Sequence, residues 1–286
     1  MWFLFAGLNP FSEALRNLFS KKASINGVDS LMISWFNNII PIIIFLPVIF
    51  FLDLKFSFQF FTALSITGSI NVAASILYMK AISKGDISAV VPMLSFTPLF
   101  LLITSPFLVG ELPKLWGIIG MILIVIGSYL LNVDLKSKNL FAPFKALLLN
   151  KGTRYMLIVA VLWAISANFD KLSIQYSSVF QHIFFVNVFV FLGITVVVTI
   201  MKRFKISEIR KDKKNLIIMS LFTTTTYICQ MMALSLTLVA YVISLKRVSG
   251  LISVFIGHFV LDEPNLHERL LGAFLMFLGV LFIVFT

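Results

Sequence analysis

The chain has 286 residues, 59% hydrophobic and only 12% charged, with mean hydropathy +1.02 and a formal net charge of +11. A water-soluble domain carries about 25% charged residues to cover itself with a solvated surface, so a soluble fold is excluded. A nucleic-acid partner is excluded as well, because Lys and Arg sit in short gaps between apolar runs instead of forming a solvated basic face.

Crossing a hydrocarbon core of about 30 Å takes about 20 mainly apolar helical residues. Ten segments qualify: 1–20, 29–52, 57–80, 86–109, 113–132, 153–171, 178–201, 215–236, 238–259 and 266–286. Lipid offers no hydrogen bonds to bare backbone, so runs of this length are helices, and a barrel would show alternation instead. Met1 to Phe19 has neither a basic n-region nor a small-residue cleavage site. It reads as a first span, not a cleaved signal. The single cysteine, Cys229, lies inside an apolar run, and no disulfide, metal cluster or cofactor is expected.

The gaps are short. Asp53-Leu54-Lys55 separates spans two and three, and Gly110-Glu111-Leu112-Pro113 separates four and five. Residues 133–152 form the longest break and divide the chain into a first half, 1–132, and a second, 153–286. A shift of 152 residues superposes Gly110-Glu111 on Asp262-Glu263, Gly120 on Gly272, Gly127 on Gly279 and Tyr78 on Gln230. Upstream the offset falls to about 150, pairing Phe19-Ser20-Lys21 with Phe169-Asp170-Lys171. Such a shared pattern indicates duplication. Five spans per half is odd, so the second half is expected upside down, an inverted-topology repeat.

Of the 23 Lys and Arg residues, 17 fall in loops 1–2, 3–4, 5–6, 7–8 and 9–10. Three (Lys55, Lys114 and Lys171) fall on the opposite side, and Arg16, Lys246 and Arg247 are intramembrane. The positive-inside rule then places both termini outside and the basic 7–8 loop in the cytoplasm.

Several stretches carry a resemblance. Leu108 to Gly120, with Gly127 beyond it, is similar to the end of an EamA domain, and Val260-Leu261-Asp262-Glu263-Pro264 through Gly272 and Gly279 resembles the same element again. Tyr78 to Asp86 and Leu94-Ser95-Phe96-Thr97-Pro98 resemble that domain's third and fourth helices. The whole chain thus resembles a tandem-EamA member of the drug/metabolite transporter superfamily. That resemblance implies an all-α membrane fold of ten helices around a central cavity, with helices five and ten at the periphery, and movement of a small metabolite by exchange or proton coupling. It supplies no substrate. Superfamily members that carry nucleotide sugars have cytosolic termini, in disagreement with the charge count.

Intramembrane charge carries the functional reading. A charged side chain at the centre of a span costs about 2.5–3.5 kcal/mol on insertion scales. Lys246 lies eight residues past Leu238, about 12 Å along the axis, too deep to snorkel comfortably. With Arg247 it offers a point charge beside a planar fork, a combination suited to phosphate or carboxylate. The pair also resembles the Lys-Arg pair on the ninth helix of triose-phosphate-type translocators. Structural neutralisation by Glu13 or another carboxylate is the alternative. Glu13 and Arg16, three apart, share a helix face, and Glu13 is a candidate for proton coupling or gating. Asn38, Asn71, Asn187, Tyr78, Tyr227 and Gln230 complete the candidate substrate-binding set, although interhelical glue is the more ordinary role of such side chains. Glu111 and Glu263 are expected to anchor short turns, and His258 and His267 to lie near interfaces.

The reading is a secondary transporter of a small, anionic metabolite in a prokaryotic cytoplasmic membrane, working by alternating access. No nucleotide-binding loop and no catalytic constellation such as HExxH is present, so an enzyme is not expected. An exporter of amino acids or of drug-like amines or neutral compounds, and a non-transporting scaffold subunit, remain open alternatives. Membrane lipid is the other expected partner. Substrate, direction, coupling ion and oligomeric state are not encoded in any of these patterns.

Overall fold

The computed structural model describes residues 1–84, 90–132, 150–261 and 270–286. The linker expected at 133–152 is described only from residue 150, and Glu263, His267 and the side chain of His258 lie outside the described residues. Among the described residues every regular element is helical.

The chain begins with α1 (Trp2–Ile25). The second span is two pieces, α2 (Ser30–Phe36) and α3 (Ile39–Ile49). The third is one helix, α4 (Phe58–Lys84). The fourth opens as a 3-10 turn over Val91–Phe96 and continues as α5 (Thr97–Leu108). Then follow α6 (Leu115–Asn132), α7 (Lys151–Gln175) and α8 (Val179–Ile200). A short surface helix, α9 (Ile206–Lys211), precedes α10 (Lys213–Leu236). The ninth span is again split, into α11 (Val239–Lys246) and α12 (Ser249–Leu261), and α13 (Leu270–Val284) closes the chain.

The second and fourth spans, which carry prolines, and the ninth span are thus each in two pieces. Two of the breaks have a proline cause. A proline ring crowds the carbonyl four residues back and removes the amide that would bond it. Pro41 frees the Asn37 carbonyl, which accepts instead from Ser220 Oγ on α10 at 3.0 Å. Pro98 frees the Leu94 carbonyl, which accepts from Thr97 Oγ1 at 2.8 Å. The third break, at Arg247-Val248, contains no proline and is closed by tight bonds from Arg247 N to Ser244 O and Val248 N to Leu245 O, both 3.0 Å. The repeat offset of 152 carries Thr97 to Ser249, and each opens the second piece of its span.

By length and apolar composition alone, 30–49, 58–81, 151–175, 179–200 and 213–236 qualify as membrane spans, and 93–108, 115–130 and 271–284 are shorter apolar helices. α1 carries Glu13, Arg16, Lys21 and Lys22, and the ninth span carries Lys246 and Arg247 at its break.

The described chain forms two compact units, 1–73 with 169–236 and 74–168 with 237–286, so α4 and α7 each contribute to both. In the first unit α1 packs along α10, and α8 packs on α2, α3 and α10. In the second, α6 packs along α13, and α11 on α5 and α6. The α6–α13 seam is made by glycine: a Cβ on Gly120 would fall 2.6 Å from the Gly279 carbonyl oxygen, and one on Gly127 2.5 Å from that of Gly272. Residue numbers rise along one helix as they fall along the other, so the two run antiparallel.

Loop contacts agree with an even number of crossings. In the first unit Asn26 Nδ2 donates to Asp212 at 2.8 Å and Asp29 N to Glu208 at 2.8 Å, which joins loops 1–2 and 7–8. Lys55 N and O bond the Gln181 amide at 3.0 and 2.8 Å, which joins loops 2–3 and 6–7. In the second unit Glu111 accepts from Val239 N at 2.8 Å, and Lys114 Nζ reaches the Thr286 carbonyl at 3.1 Å. Loops 4–5 and 8–9 and the end of the last helix therefore share a side. Glu111 anchors its turn as expected and also caps the first turn of α11.

Candidate functional site

Polar side chains gather in both units. In the second unit the ninth span is interrupted where its two cations stand. Lys246 is the last residue of α11 and Arg247 its C-cap, with φ −64° and ψ −20°. The carbonyls at a helix C-terminus carry partial negative charge, which favours a cation there. Local structure thus tolerates Lys246 better than the middle of an unbroken helix would. Both side chains are half-buried and engaged with neighbouring groups. Tyr78, on α4, lies 6.0 Å from the Trp163 ring of α7 at 31°. Both rings pack against a core that includes Met93, Met156 and Val159. On the same span as Lys246, Ser244 Oγ is spent on the Ala240 carbonyl at 2.7 Å.

The first unit holds the other candidates. Glu13 Oε1 receives Arg16 at 2.6 Å on α1, as the three-residue spacing predicts. Glu13 is buried and Arg16 half-buried. Asn9 Nδ2, one turn earlier, donates across to the Thr226 carbonyl on α10 at 3.0 Å. Thr223 Oγ1 donates to Asn37 Oδ1 at 2.5 Å, tying α10 to the break in the second span. Gln230, on α10, is buried and engaged.

Asn38, Asn71 and Asn187 each bond within their own span. Their amide nitrogens donate to the carbonyls of Ser34, Thr67 and Ile183 at 2.9, 3.0 and 2.7 Å, each four residues back on the same span. The helix itself consumes one donor, a known habit of short polar side chains. Each amide carries a second N–H besides its carbonyl oxygen. Asn187 Oδ1 is buried and accepts no hydrogen bond.

One cluster escaped sequence reasoning. Asp170 on α7, 6% exposed, accepts from Thr67 Oγ1 of α4 at 2.5 Å. His182 on α8 is fully buried, with Nε2 at 3.4 Å from Asp170 Oδ1 and Nδ1 at 2.8 Å from Ser173 Oγ. Asn71 Nδ2 also reaches Thr67 Oγ1, at 3.3 Å, and so joins this chain of groups. Tyr227, on α10, interacts electrostatically with Arg16, Asp170 and Glu13. Two features set the cluster apart. Asp170 lies inside a helix that runs to Gln175, four residues beyond the expected end at 171. Lys171, expected at an interface, is buried inside that helix.

The family described as the EamA-like transporter family matches residues 1–133 and again residues 150–285. No curated protein matches. A solved structure titled only "Crystal structure of protein" is similar over 98% of this chain and 97% of its own, with TM-score 0.68 and 12% identity. At that identity the likeness speaks for the fold alone. No cluster of three or more metal-ligating side chains occurs among the described residues.

Proposed function

The chain belongs to the EamA-like transporter family, and from that premise we propose that it is a secondary transporter of a small anionic metabolite. Family membership and the apolar helices make it an integral multi-pass membrane protein. The finer reading places it in a prokaryotic cytoplasmic membrane and has it work by alternating access between two inverted repeats.

The observation that carries the cargo assignment is the broken ninth span. Non-helical backbone at membrane depth persists only where protein buries it or where it lines a water-filled cavity. Here the break coincides with two adjacent cations. Arg247 supplies a fork for two anionic oxygens and Lys246 a compact charge beside it. Their present partners would be exchanged for those of the cargo. Tyr78, Asn38, Asn71, Asn187, Tyr227 and Gln230 complete the proposed cargo-binding set.

The inverted arrangement draws support from the glycine seam. Gly120 and Gly272, and Gly127 and Gly279, are equivalent under the repeat offset. Yet Gly120 meets Gly279, and Gly127 meets Gly272. Antiparallel exchange of equivalent residues is what a two-fold axis in the membrane plane produces. Glu13 and Arg16 form a gating pair in this scheme, since the buried ion pair is costly to separate once one partner is lost.

The test is thermal stabilisation of the detergent-purified protein across a metabolite panel, run in parallel on Lys246→Ala. Stabilisation by phosphorylated or carboxylated compounds that is lost in the variant supports the assignment. Equal stabilisation of both proteins by amines or neutral compounds overturns it.

A further inference from the structure

The loop between α8 and α10 carries charge that the fold leaves uncompensated. Residues 202–214 hold seven Lys and Arg against two acids, Glu208 and Asp212. Both acids are engaged within the protein: Glu208 accepts from Asp29 N, and Asp212 from Asn26 Nδ2 and Asn215 Nδ2. Two cations turn the same way, Arg203 at 3.7 Å from Asp29 and Lys211 onto the Gly27 carbonyl at 3.0 Å. Lys202, Lys205, Arg210, Lys213 and Lys214 are exposed and make no ion pair among the described residues. We propose that this loop is a docking surface for anionic phospholipid, with Lys202 and Lys205 on headgroup phosphates and Phe204 and Ile206 against the upper acyl chains.

The apolar side chains between the cations favour a lipid over a soluble anion. Ile200, Met201, Phe204 and Ile206 are 75%, 44%, 38% and 56% exposed, and α9 buries none of its residues. A soluble phosphate gains nothing from that surface, whereas a bilayer interface takes apolar side chains and cations together. The depth also fits. Phe204 packs edge-on against Trp35 at 5.3 Å. Trp35 in turn lies 5.1 Å from Phe191 and donates Nε1–H to Thr195 Oγ1 at 2.8 Å. Tryptophan favours the boundary between hydrocarbon and headgroups, so this stack holds the loop at headgroup level.

The backbone at Lys202 is an independent sign. α8 closes in a Schellman turn, with Lys202 N donating to Thr199 O at 3.0 Å and Arg203 N to Val198 O at 2.9 Å. Such a turn needs a left-handed residue where Lys202 stands, at φ 55°, a conformation that glycine adopts with least strain. Gly27 and Gly110 fill the other positive-φ positions among the described residues. A lysine here sacrifices local stability and fixes a cation at the rim of α8, beside Lys205. Charge that only sets topology could stand anywhere in the loop. A headgroup site needs it at the rim.

The test uses the full chain in a neutral detergent and does not depend on the cargo assignment. Phosphatidylglycerol or phosphatidylcholine is titrated in at low and at high salt, and the melting midpoint is read. The expected result is saturable stabilisation by phosphatidylglycerol that phosphatidylcholine does not reproduce and that salt weakens. Lys202→Gly combined with Lys205→Gln should need at least about tenfold more phosphatidylglycerol for the same shift, since one cation at an anionic surface is worth about fivefold in affinity. Lys202→Gly alone keeps or raises the lipid-free midpoint, which separates loss of lipid from loss of fold. Ile206→Ser also weakens the lipid response, while Lys55→Gln, an exposed cation on the opposite face, leaves it unchanged. The proposal is overturned if the two lipids act alike, or if the double variant responds as the wild type does. It is also overturned if glycerol phosphate, a headgroup without chains, gives the same stabilisation through Lys202 and Lys205.

Discussion

Gly120 and Gly279 meet backbone to backbone: a Cβ on the first would lie 2.6 Å from the carbonyl oxygen of the second, and the reverse distance is 2.5 Å. A carbonyl in a helix cannot swing aside as a flexible side chain can, so added bulk must push α6 and α13 apart. Gly120→Ala and Gly279→Ala are each expected to destabilise by about 1–3 kcal/mol, the usual range for overpacking. Gly7→Ala is the control, because nothing lies within 4 Å of its Cβ position. Detergent melting curves read the difference, and equal midpoints for all three would refute the seam.

The link between loops 1–2 and 7–8 depends on an ionised Asp212. Partial burial pushes its carboxyl upward, but hydrogen bonds from Asn215 and Asn26 outweigh that and hold it below the ordinary 3.8. A carboxyl lowered in the folded state contributes stability that is present above its unfolded value and lost as pH falls through the folded one. The link is therefore intact at neutral pH and opens only below about pH 4. Limited proteolysis of loop 7–8 at pH 6 should be faster in Asn26→Ala than in wild type. Equal rates would show that the link does not restrain the loop.

Pro41 keeps the Asn37 carbonyl available to Ser220. In Pro41→Ala the new amide can donate to that carbonyl and extend α3 back through the break. Hydrogen exchange over residues 37–42 should slow in the variant. Unchanged exchange would mean that Ser220 and Thr223, and not the proline, hold the break open.

Glu111 caps α11 through Val239 N. Its replacement by Ala removes an acceptor from a helix N-terminus, a change that costs about 0.5–2 kcal/mol at caps. Glu111→Gln retains an acceptor oxygen and should recover part of the loss in melting midpoint. Identical losses in both variants would place the effect elsewhere.

Much of the architecture was legible in the residues. Apolar runs of span length, short gaps with an acid at the turn and repeated glycine spacing led to the all-helical fold and to the EamA resemblance, and the Glu13–Arg16 pair followed from spacing alone. What was hidden depended on tertiary neighbours. His182 sits in the apolar run Val179-Phe180-Gln181-His182-Ile183-Phe184-Phe185, and only folding brings Asp170 and Ser173 beside it. The break at Arg247-Val248 has no proline to announce it.

Counterflow in proteoliposomes tests the central claim most directly. Vesicles are loaded with the anionic compound that stabilises the purified protein best, and uptake of the same labelled compound is followed for the wild type, Lys246→Ala and Arg247→Ala. The account predicts uptake accelerated by the internal load in the wild type and at least about tenfold slower in each variant, the loss expected from removing one partner of a charge-assisted contact. Binding that persists with no counterflow, or counterflow indifferent to both cations, would contradict it.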